Sequence, residues 1–255
     1  MEIRLYRILF VKILIPARLE GDKEGFMKFN PFDDFINLMF PDLCVVCGIH
    51  LQKNEQQLCL SCLHDIPRTN YHLIEDNPIE KRFWGKVPIH RATSYFFFQK
   101  GSSFQKLLHL LKYQGNKDVG ELLGKYAAID LLDSPDFTSV DLIIPVPLHP
   151  KKYKLRGYNQ SEWIGKGISA ILQKPVDTTS LRRMRENATQ TSKSVFERYE
   201  NTEGIFELSD KSNLEGKYIL LIDDVLTTGS TLEACVMALL EVPGIKISIF
   251  TLAVA

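Results

Sequence analysis

The stretch YILLIDDVLTTGSTLEACVMAL at residues 218–239 joins an apolar run, two adjacent carboxylates, a turn rich in hydroxyls and an amphipathic segment. Residues 219–222 form a short continuous apolar run, which is typical of a strand buried on both faces. Residues 231–240 carry apolar side chains at helical spacing. The loop between the two segments is therefore predicted to lie at the carboxyl end of a strand, where open α/β sheets bind their ligands.

This loop has the chemistry of a phosphate site. Five residues offer backbone N–H groups and hydroxyls at the start of a helix, where the helix dipole also favours an anion; they are Thr227, Thr228, Gly229, Ser230 and Thr231. The glycine also permits a close approach that a side chain would obstruct. Asp223 and Asp224 come just before the loop, and carboxylates there can accept hydrogen bonds from the hydroxyls of a sugar on the same ligand. The stretch therefore predicts a binding site for a phosphorylated ribose.

The alternative interpretation of this stretch is structural: the carboxylates end a buried strand and the turn caps a helix. A cap needs only one such residue, however, and the stretch matches a longer pattern. It closely resembles the PRPP-binding motif of type I phosphoribosyltransferases, which consists of an apolar strand, two acidic residues and a loop rich in Thr, Gly and Ser. Agreement over consecutive positions is more specific than a lone glycine pattern, and the sequence contains no Gly-Lys-Ser/Thr of a P-loop.

The composition is that of a folded protein. With 255 residues, 45% of them hydrophobic, the chain can bury one sizeable core and a small appendage, and we expect it to be soluble. The formal net charge is zero, so the overall charge does not indicate binding to nucleic acids or anionic membranes. Two local basic clusters exist, and a solvated surface explains each as well as a functional contact does. They are Lys151, Lys152, Lys154 and Arg156, and Arg182, Arg183 and Arg185.

Residues 1–26 differ from the rest of the chain. Their apolar run is too short and too charged to span a bilayer, and it makes a poor signal peptide, because it is interrupted by Arg4, Arg7, Lys12 and Arg18. A second methionine, Met27, begins a segment that runs straight into a cysteine motif. We interpret residues 1–26 as an upstream extension or a mis-called start. The alternative is a short amphipathic segment that docks on a partner or a membrane surface.

The cysteine motif C-x2-C-x11-C-x2-C predicts a structural zinc site with four thiolate ligands and no open position for catalysis: Cys44, Cys47, Cys59 and Cys62. Gly48 permits the tight turn that ligation imposes, and His50 and His64 are interpreted as neighbours rather than ligands. Two disulfides are the alternative. Nothing else in the sequence indicates export, so we expect a cytoplasmic protein with reduced thiols. Metal binding would stabilise a module too small to fold on its own apolar burial.

The remaining chain alternates strand and helix patterns. Residues 67–100 contain aromatic, alternating segments that predict short antiparallel strands. Two helical patterns follow, separated at Gly115, and the chain ends in the pattern of a buried strand, KISIFTLAVA. The parallel core is predicted to begin with DLIIPVPL, a short apolar run whose end should border the site, at Pro145, Val146 and Pro147.

A basic run broken by Gly157 follows this strand and leads into a helix predicted from Asn159 onward. Arg156 is suited to bind a pyrophosphate through two parallel hydrogen bonds, which the single ammonium of a lysine cannot offer. Asn159 and Gln160 are candidates for hydrogen bonds to a sugar or base edge, or for a helix cap. Residues 186–204 are hydrophilic without sustained periodicity, which favours a lid that closes over a pyrophosphate and excludes water.

From about Met27 onward the chain resembles the ComF family, which pairs an N-terminal four-cysteine zinc module with a type I phosphoribosyltransferase-like domain. The motifs of the family recur in order as the two CxxC pairs, LKYQG at 111–115, PVPL at 145–148, RGYNQ at 156–160 and IDDVLTTGST at 222–231. The lid pattern is matched at Gln190, Arg198, Asn201, Gly204 and Phe206, and departs from the family at Lys193, Val195 and Phe196.

The resemblance implies an α/β fold, with a type I phosphoribosyltransferase-like parallel sheet flanked by helices and a small zinc-ribbon-like module before it. We divide the chain into the segment 1–26, a helix with the zinc module at 27–66, and the phosphoribosyltransferase-like domain at 67–255, with its lid at about 186–204. The resemblance also links the chain to competence for DNA uptake.

Two functional hypotheses follow. The first is an enzyme that transfers phosphoribosyl from PRPP to an unidentified acceptor, with Mg²⁺ held mainly by the oxygens of the substrate. The loop at 227–231 would bind the 5′-phosphate, Asp223 and Asp224 the ribose hydroxyls, and residues 145–148 with Arg156 the pyrophosphate. The second is a binding module that senses PRPP or a nucleotide, while the zinc module and basic loops contact single-stranded DNA or a helicase of the uptake machinery. The sequence specifies neither the acceptor nor the oligomeric state.

Overall fold

The computed structural model describes residues 41–113, 116–184 and 205–255. Within it, Asp42–Ala255 form one compact unit. The predictions made for residues 1–40, for the lid at 186–204 and for Arg185 lie outside the described residues. The division of the chain into three regions stays a prediction.

The strands of the described chain form one central sheet and one short ribbon. They are β1 (Arg91–Phe97), β2 (Leu142–Pro145), β3 (Leu181–Arg183), β4 (Phe206–Leu208), β5 (Tyr218–Leu226) and β6 (Lys246–Val254). The central sheet is parallel throughout, in the order β1-β6-β5-β2. An isolated parallel bridge between Ile143 and Val176 extends it beyond β2. β3 and β4 pair with each other in antiparallel orientation, on either side of the predicted lid.

The helices of the described chain alternate with these strands. They are α1 (Leu60–His64), α2 (Pro78–Lys81), α3 (Gln105–Tyr113), α4 (Lys117–Leu131), α5 (Pro135–Thr138), α6 (Pro150–Arg156), α7 (Gln160–Leu172) and α8 (Ser230–Leu239), with a 3-10 turn at Tyr71–Leu73. α3 and α4 confirm the two helical patterns predicted on either side of residue 115. Among the described residues, no helix has the length and apolar character needed to cross a membrane.

Helices cover both faces of the central sheet. Leu220 and Ile222 of β5 pack into one apolar core together with residues of α3, α4 and α7. Ile219 and Leu221 point the other way, into a second core that includes residues of α2 and α8. All four side chains are fully buried. This confirms the prediction that the apolar run at 219–222 is a strand buried on both faces.

The prediction of short antiparallel strands in residues 67–100 is wrong for β1. This strand lies at the edge of the central sheet, parallel to β6, and only an isolated bridge between Arg68 and Phe96 is antiparallel. The parallel core therefore begins with β1 rather than with β2. Because β1 contains polar residues, its sequence did not indicate a buried strand. Ser94 is nevertheless buried, and its Oγ lies 2.5 Å from the Oγ1 of Thr251 on the neighbouring strand. A hydroxyl pair of this kind lets polar residues occupy a buried strand.

α6 is a helix that the periodicity of the sequence did not reveal. It begins with Pro150 at its first position and ends at Gly157, which is in the left-handed region with φ 77°. Proline at the start and glycine just after the end are helix signals that were present in the sequence. They were missed because the segment buries no residue, and so it lacks an apolar stripe.

α4 and α7 cross in close contact through two glycines. A Cβ atom on Gly124 would lie 2.3 Å from the carbonyl oxygen of Ile164, and one on Gly167 would lie 2.1 Å from that of Glu121. Both distances are far shorter than any real contact of a Cβ atom. The backbones of the two helices therefore approach to a distance that only glycine permits.

We expect Gly167→Ala to lower the free energy of unfolding by about 1–3 kcal/mol or more, because the added methyl group overpacks a backbone contact. Gly165→Ala in the same helix is the matched control, since its Cβ would meet its nearest neighbour, Ile143 Cγ2, at an ordinary 3.5 Å. Alanine is the better helix former, so this control should be neutral or stabilising by about 0.5–1 kcal/mol. Urea unfolding measures both, and equal stabilities of the two variants would contradict the close crossing.

Candidate functional site

The central sheet changes its winding direction between β2 and β5. From β2 the chain continues through α7 to the bridge at Val176 on the outer side of the sheet, whereas from β5 it continues through α8 to β6 on the other side. The carboxyl ends of the two strands lie side by side, since they are parallel and Pro145 pairs with Ile222. Ligands of doubly wound sheets bind in the crevice at such a reversal. The predicted site therefore lies where the topology favours one.

β5 extends beyond its predicted end and contains both carboxylates. Asp223 Oδ1 accepts hydrogen bonds from the Oγ of Ser161, at 3.1 Å, and from the backbone N–H of Asp224, at 2.9 Å. Asp224 Oδ2 lies 3.2 Å from the Nζ of Lys112. The two acidic residues are thus held by different groups, one by the start of α7 and the other by the end of α3.

The adjacent carboxylates disfavour each other's charge. Burial and the charge of Asp224 raise the pKa of Asp223 to about 7, although the N–H of Asp224, the hydroxyl of Ser161 and the ammonium of Lys112 oppose the rise. Asp223 is therefore only partly ionised at neutral pH. Hydrogen-bond donors or a cation brought by a ligand would favour its ionised form.

The hydroxyl-rich loop joins β5 to α8, as predicted. Gly229 is the N-cap residue of α8 and has a φ of 88°, in the left-handed region where a residue with a Cβ is strained. The Oγ1 of Thr228 and the Oγ of Ser230 lie 2.7 Å apart. An open pocket is lined by Asp223 together with residues 225–232. The loop and the first carboxylate thus face the same cavity.

A support outside the sequence motif holds this loop. Arg82, just after α2, donates hydrogen bonds from Nη1 to the carbonyl of Thr227 and from Nη2 to the main-chain oxygen of Ala255. Lys86 Nζ lies 2.7 Å from Glu233 Oε1 in the first turn of α8. Sequence reasoning missed both basic residues, because contacts over such sequence separations leave no local pattern.

The PVPL stretch forms the neighbouring wall of the crevice. Pro145 and Pro147 have no N–H group, and the N–H of Val146 donates to the carbonyl of Ile222 at 2.8 Å. The carbonyl of Val146 accepts a hydrogen bond from Asn159 Nδ2 at 3.0 Å. These three residues therefore shape the site but have no spare N–H group for an anion.

The RGYNQ stretch is largely engaged within the protein. Asn159 caps α7 by accepting from the N–H of Ser161, which confirms the capping alternative, while its amide holds Val146. Arg156 Nη1 donates to Gln160 Oε1 at 3.0 Å. Gln160 is 2% exposed, and its Nε2 has no partner among the described residues. A buried amide without a partner is costly, so this group is suited to donate to a ligand.

Lys112 is a site residue that the sequence did not single out. It belongs to the LKYQG motif near the end of α3, and its ammonium reaches the carboxylate of Asp224. The neighbouring Leu111 offers its carbonyl to the hydroxyl of Tyr158 in the RGYNQ motif. The structure therefore brings three separate motifs of the chain together at the carboxylate pair. LKYQG is one of the motifs that the chain shares with the ComF family, which was a signal that this segment matters, but it did not indicate which of its residues reaches the site.

The four cysteines converge as predicted. Their Sγ atoms all lie within 4.8 Å of one another, and those of Cys47 and Cys59 are 3.7 Å apart. A tetrahedral zinc ion with Zn–S bonds of about 2.3 Å requires sulfur atoms about 3.8 Å apart, so the cluster fits a metal ion such as zinc. All the cysteines are free thiols, which disagrees with the two-disulfide alternative.

The surroundings of the cluster agree with metal binding. Gly48 makes the tight turn, with φ 75° and its N–H donating to the carbonyl of Cys44 at 2.8 Å. Burial alone would raise the pKa of Cys44, but hydrogen bonds to backbone groups and to Cys47 outweigh it and lower that pKa to about 6. His50 and His64 are exposed and lie outside the cluster of possible ligands found in the described chain, which agrees with their interpretation as neighbours.

Comparison with known proteins adds to these observations. Residues 160–254 match the model of the phosphoribosyl transferase domain. The DNA utilization protein YhgH of Escherichia coli O157:H7 is 28% identical over 202 residues, which cover 78% of this chain and 84% of that protein. Competence protein F of Haemophilus influenzae is 28% identical over 74% of this chain and 75% of that protein. Competence protein ComFC of Bacillus subtilis is 26% identical over 84% of this chain and 86% of that protein.

A solved hypoxanthine phosphoribosyltransferase from Staphylococcus aureus aligns with 60% of this chain and 71% of its own, at 16% identity and a TM-score of 0.33. This score is too low to support a conclusion about substrate.

The parallel sheet, its crevice and the matched domain define the class: the chain has a phosphoribosyltransferase-type fold. The matches to DNA utilization and competence proteins over most of its length, together with the four-cysteine cluster, confirm the predicted resemblance to the ComF family.

We expect the purified protein to contain about one zinc ion per chain, because four converging thiolates form a closed tetrahedral site. Cys62→Ser should lose most of this metal and unfold at a lower temperature, since metal binding stabilises a module this small. Cys235→Ser is the control for metal content, because Cys235 is a buried residue of α8 that packs in the other apolar core, so this change should leave the metal content unchanged. Metal analysis by mass spectrometry checks this, and full zinc content in Cys62→Ser would contradict the site.

The raised pKa of Asp223 predicts that the free protein loses stability as pH rises. The unfolded carboxyl ionises near pH 4 and the folded one near 7, so the folded state binds more protons in between, and that contribution is lost through pH 7. Asp223→Asn keeps the acceptor for Ser161 and avoids the charge. We expect the free energy of unfolding of this variant, relative to that of the wild type, to be higher at pH 8 than at pH 4 by about 1–2 kcal/mol, less than the full shift because the group is partly accessible. Urea unfolding at both pH values tests this, and an equal difference at both would contradict it.

Proposed function

We propose that this protein binds PRPP, or a related ribose phosphate, in the crevice between β2 and β5 and transfers its phosphoribosyl group to an acceptor. The observation that carries the proposal is that Asp223 and the loop at 227–231 line the same pocket. A phosphate cradle directly beside acceptors for hydroxyl groups matches the polarity of a ribose 5-phosphate.

Each part of the ligand has a counterpart in the crevice. The 5′-phosphate would accept hydrogen bonds from N–H groups and hydroxyls at 227–231, at the start of α8. Asp223 and Asp224 would accept from the ribose hydroxyls. Arg156 and the partnerless amide of Gln160 would donate to the pyrophosphate or the sugar, beside the wall formed by Val146 and its flanking prolines.

The arrangement suits a reaction that needs positioning and charge stabilisation. Transfer breaks the bond between C1 of the ribose and pyrophosphate and forms a bond from C1 to the acceptor, so positive charge develops on the sugar ring. The ionised carboxylates of Asp223 and Asp224 would stabilise that charge. Mg²⁺, brought with PRPP, would neutralise the departing pyrophosphate. The protein would hold C1 of the sugar in position for attack by the acceptor, so an obvious general base is not required.

The alternative function is a binding module in which the pocket senses PRPP or a nucleotide while another surface contacts single-stranded DNA or a helicase. The observation that favours it is the naming of the relatives after DNA utilization and competence. Of the second basic cluster, Arg182 is exposed on β3, whereas the guanidinium of Arg183 lies over the ring of Phe206 at 5.3 Å. Lys151, Lys152 and Lys154 are exposed on α6.

Calorimetric titration of Mg²⁺-PRPP tests the proposed site. We expect the wild type to bind, and Asp223→Asn/Asp224→Asn to lose at least about tenfold in affinity, since removal of charged acceptors costs about 1.5–3 kcal/mol per hydrogen bond. Asp210→Asn is the matched control, because Asp210 lies in the turn before β5, at the other end of that strand. A folded wild type that gives no heat of binding would rule out the ribose-phosphate site.

The same protein then separates the two functions. Pyrophosphate release on addition of a base, an amine or ammonia would identify an enzyme and its acceptor class. Binding of PRPP without release, for every acceptor and in the presence of single-stranded DNA, would favour the sensing module. The double variant should release no pyrophosphate in either case, which guards against a contaminating activity.

A further inference from the structure

Lys112 is a cation in contact with the carboxylate pair. Its Nζ lies 3.2 Å from Asp224 Oδ2, and the side chains are 27% and 15% exposed, so the ion pair is well shielded from water. Shielded pairs retain more of their electrostatic interaction than surface pairs do. An ammonium also has three donors, of which the contact with Asp224 requires one.

The helix that carries Lys112 is fixed at several points. Leu107 and Leu111 are fully buried in the core beside β5. Lys106 Nζ donates to the carbonyl of Val46 in the cysteine module at 3.1 Å, and the hydroxyl of Tyr158 donates to the carbonyl of Leu111. α3 is thus held from both sides, and its end delivers the ammonium to a defined place.

Of the side chains described near the two carboxylates, Lys112 is the positively charged one that acts on them directly. These groups are Lys112 from α3, Tyr158 before α7, Ser161 in α7 and Cys235 in α8, with Arg156 and Arg183 acting in turn on Tyr158 and Cys235. Burial raises the pKa of both Tyr158 and Cys235, so they are neutral at pH 7. The phenol, the thiol and the hydroxyl of Ser161 therefore supply no charge, and Lys112 supplies the contact that compensates the two carboxylates.

We propose that Lys112 is a positioning residue of the ribose site, which holds Asp224 in place and whose positive charge favours carboxylates that can accept hydrogen bonds from ribose hydroxyls. The proposal deepens the proposed function and rests on it. Lys112 acts through Asp224 and not on the reacting atoms. Without it, the pKa of Asp223 would rise further, so this carboxyl would be protonated to a greater extent at neutral pH and would be a poorer acceptor.

The test compares Lys112→Met and Lys112→Arg with the wild type in titrations of Mg²⁺-PRPP between pH 6 and 9. We expect Lys112→Met to bind about tenfold more weakly at pH 7 and the pH midpoint of its affinity to move upward, because the pair ionises at higher pH. Lys112→Arg should restore both quantities. Lys125→Met is the control, since Lys125 pairs with Glu121 within α4 at similar exposure and should behave like the wild type.

Two results would overturn the proposal. One is wild-type affinity with an unchanged pH midpoint in Lys112→Met. The other is an equal loss of affinity in the methionine and arginine variants without a shift of the midpoint, which would make Lys112 merely structural. If Lys112→Met does not fold, Lys112→Gln takes its place, since glutamine keeps a polar chain without the charge.

A measurement without PRPP separates this proposal from the proposed function. Carboxyl ¹³C titration by NMR of the free protein should show the aspartate pair ionising at higher pH in Lys112→Met than in the wild type. If the wild type binds no PRPP, the proposed function fails and with it the role of Lys112 toward ribose. If PRPP binds but the carboxyl titrations of wild type and variant coincide, the charge role of Lys112 alone is overturned.

Discussion

The position of β5 between two parallel partners is the constraint on which the rest of the structure depends. Because β5 pairs with β2 on one side and β6 on the other, its side chains are buried on both faces and its carboxyl end cannot move independently. That end carries Asp223 and Asp224. The loop that follows must turn back over the edge of the sheet to start α8, so the loop at 227–231 and the first carboxylate line one pocket. The rigidity of a central strand thus becomes the rigidity of the site.

α3 connects the cysteine module to this crevice. The module contacts the helix through Lys106 and the start of α4 through a hydrogen bond of 2.8 Å from Asn116 to Gln57. Cys44, Cys59 and Cys62 belong to the same apolar core as the buried side of α3. A metal ion that organises the cysteines would therefore also organise the surface on which α3 rests. The cysteine module has no catalytic ligands, but through its packing against α3 it would influence the position of the side chains that α3 brings to the site.

The parts of the fold that the sequence predicted are those with local signals. Residues 219–222, the loop at 227–231 and the cysteine spacing each carry their information within a short stretch, so the central strand, the loop before α8 and the convergence of the four cysteines were predictable. β1 was not, because the hydroxyl of its buried Ser94 is satisfied by Thr251, on a strand more than 150 residues away. Arg82 and Lys112 were missed for the same reason: their partners are brought close by the fold alone.

The site also shows why two adjacent acidic residues need such a setting. Placed together at the partly buried end of a strand, the carboxylates destabilise the free protein, since each disfavours the charge of the other. Ser161 and Lys112 reduce this destabilisation without removing it, so further hydrogen-bond donors would still stabilise the pair. A ligand with two hydroxyls can supply these donors, whereas a ligand without them cannot. Under the proposed function, selectivity for a ribose phosphate over an analogue that lacks these hydroxyls would then come from the unfavourable state of the empty site as much as from the contacts formed in the occupied one.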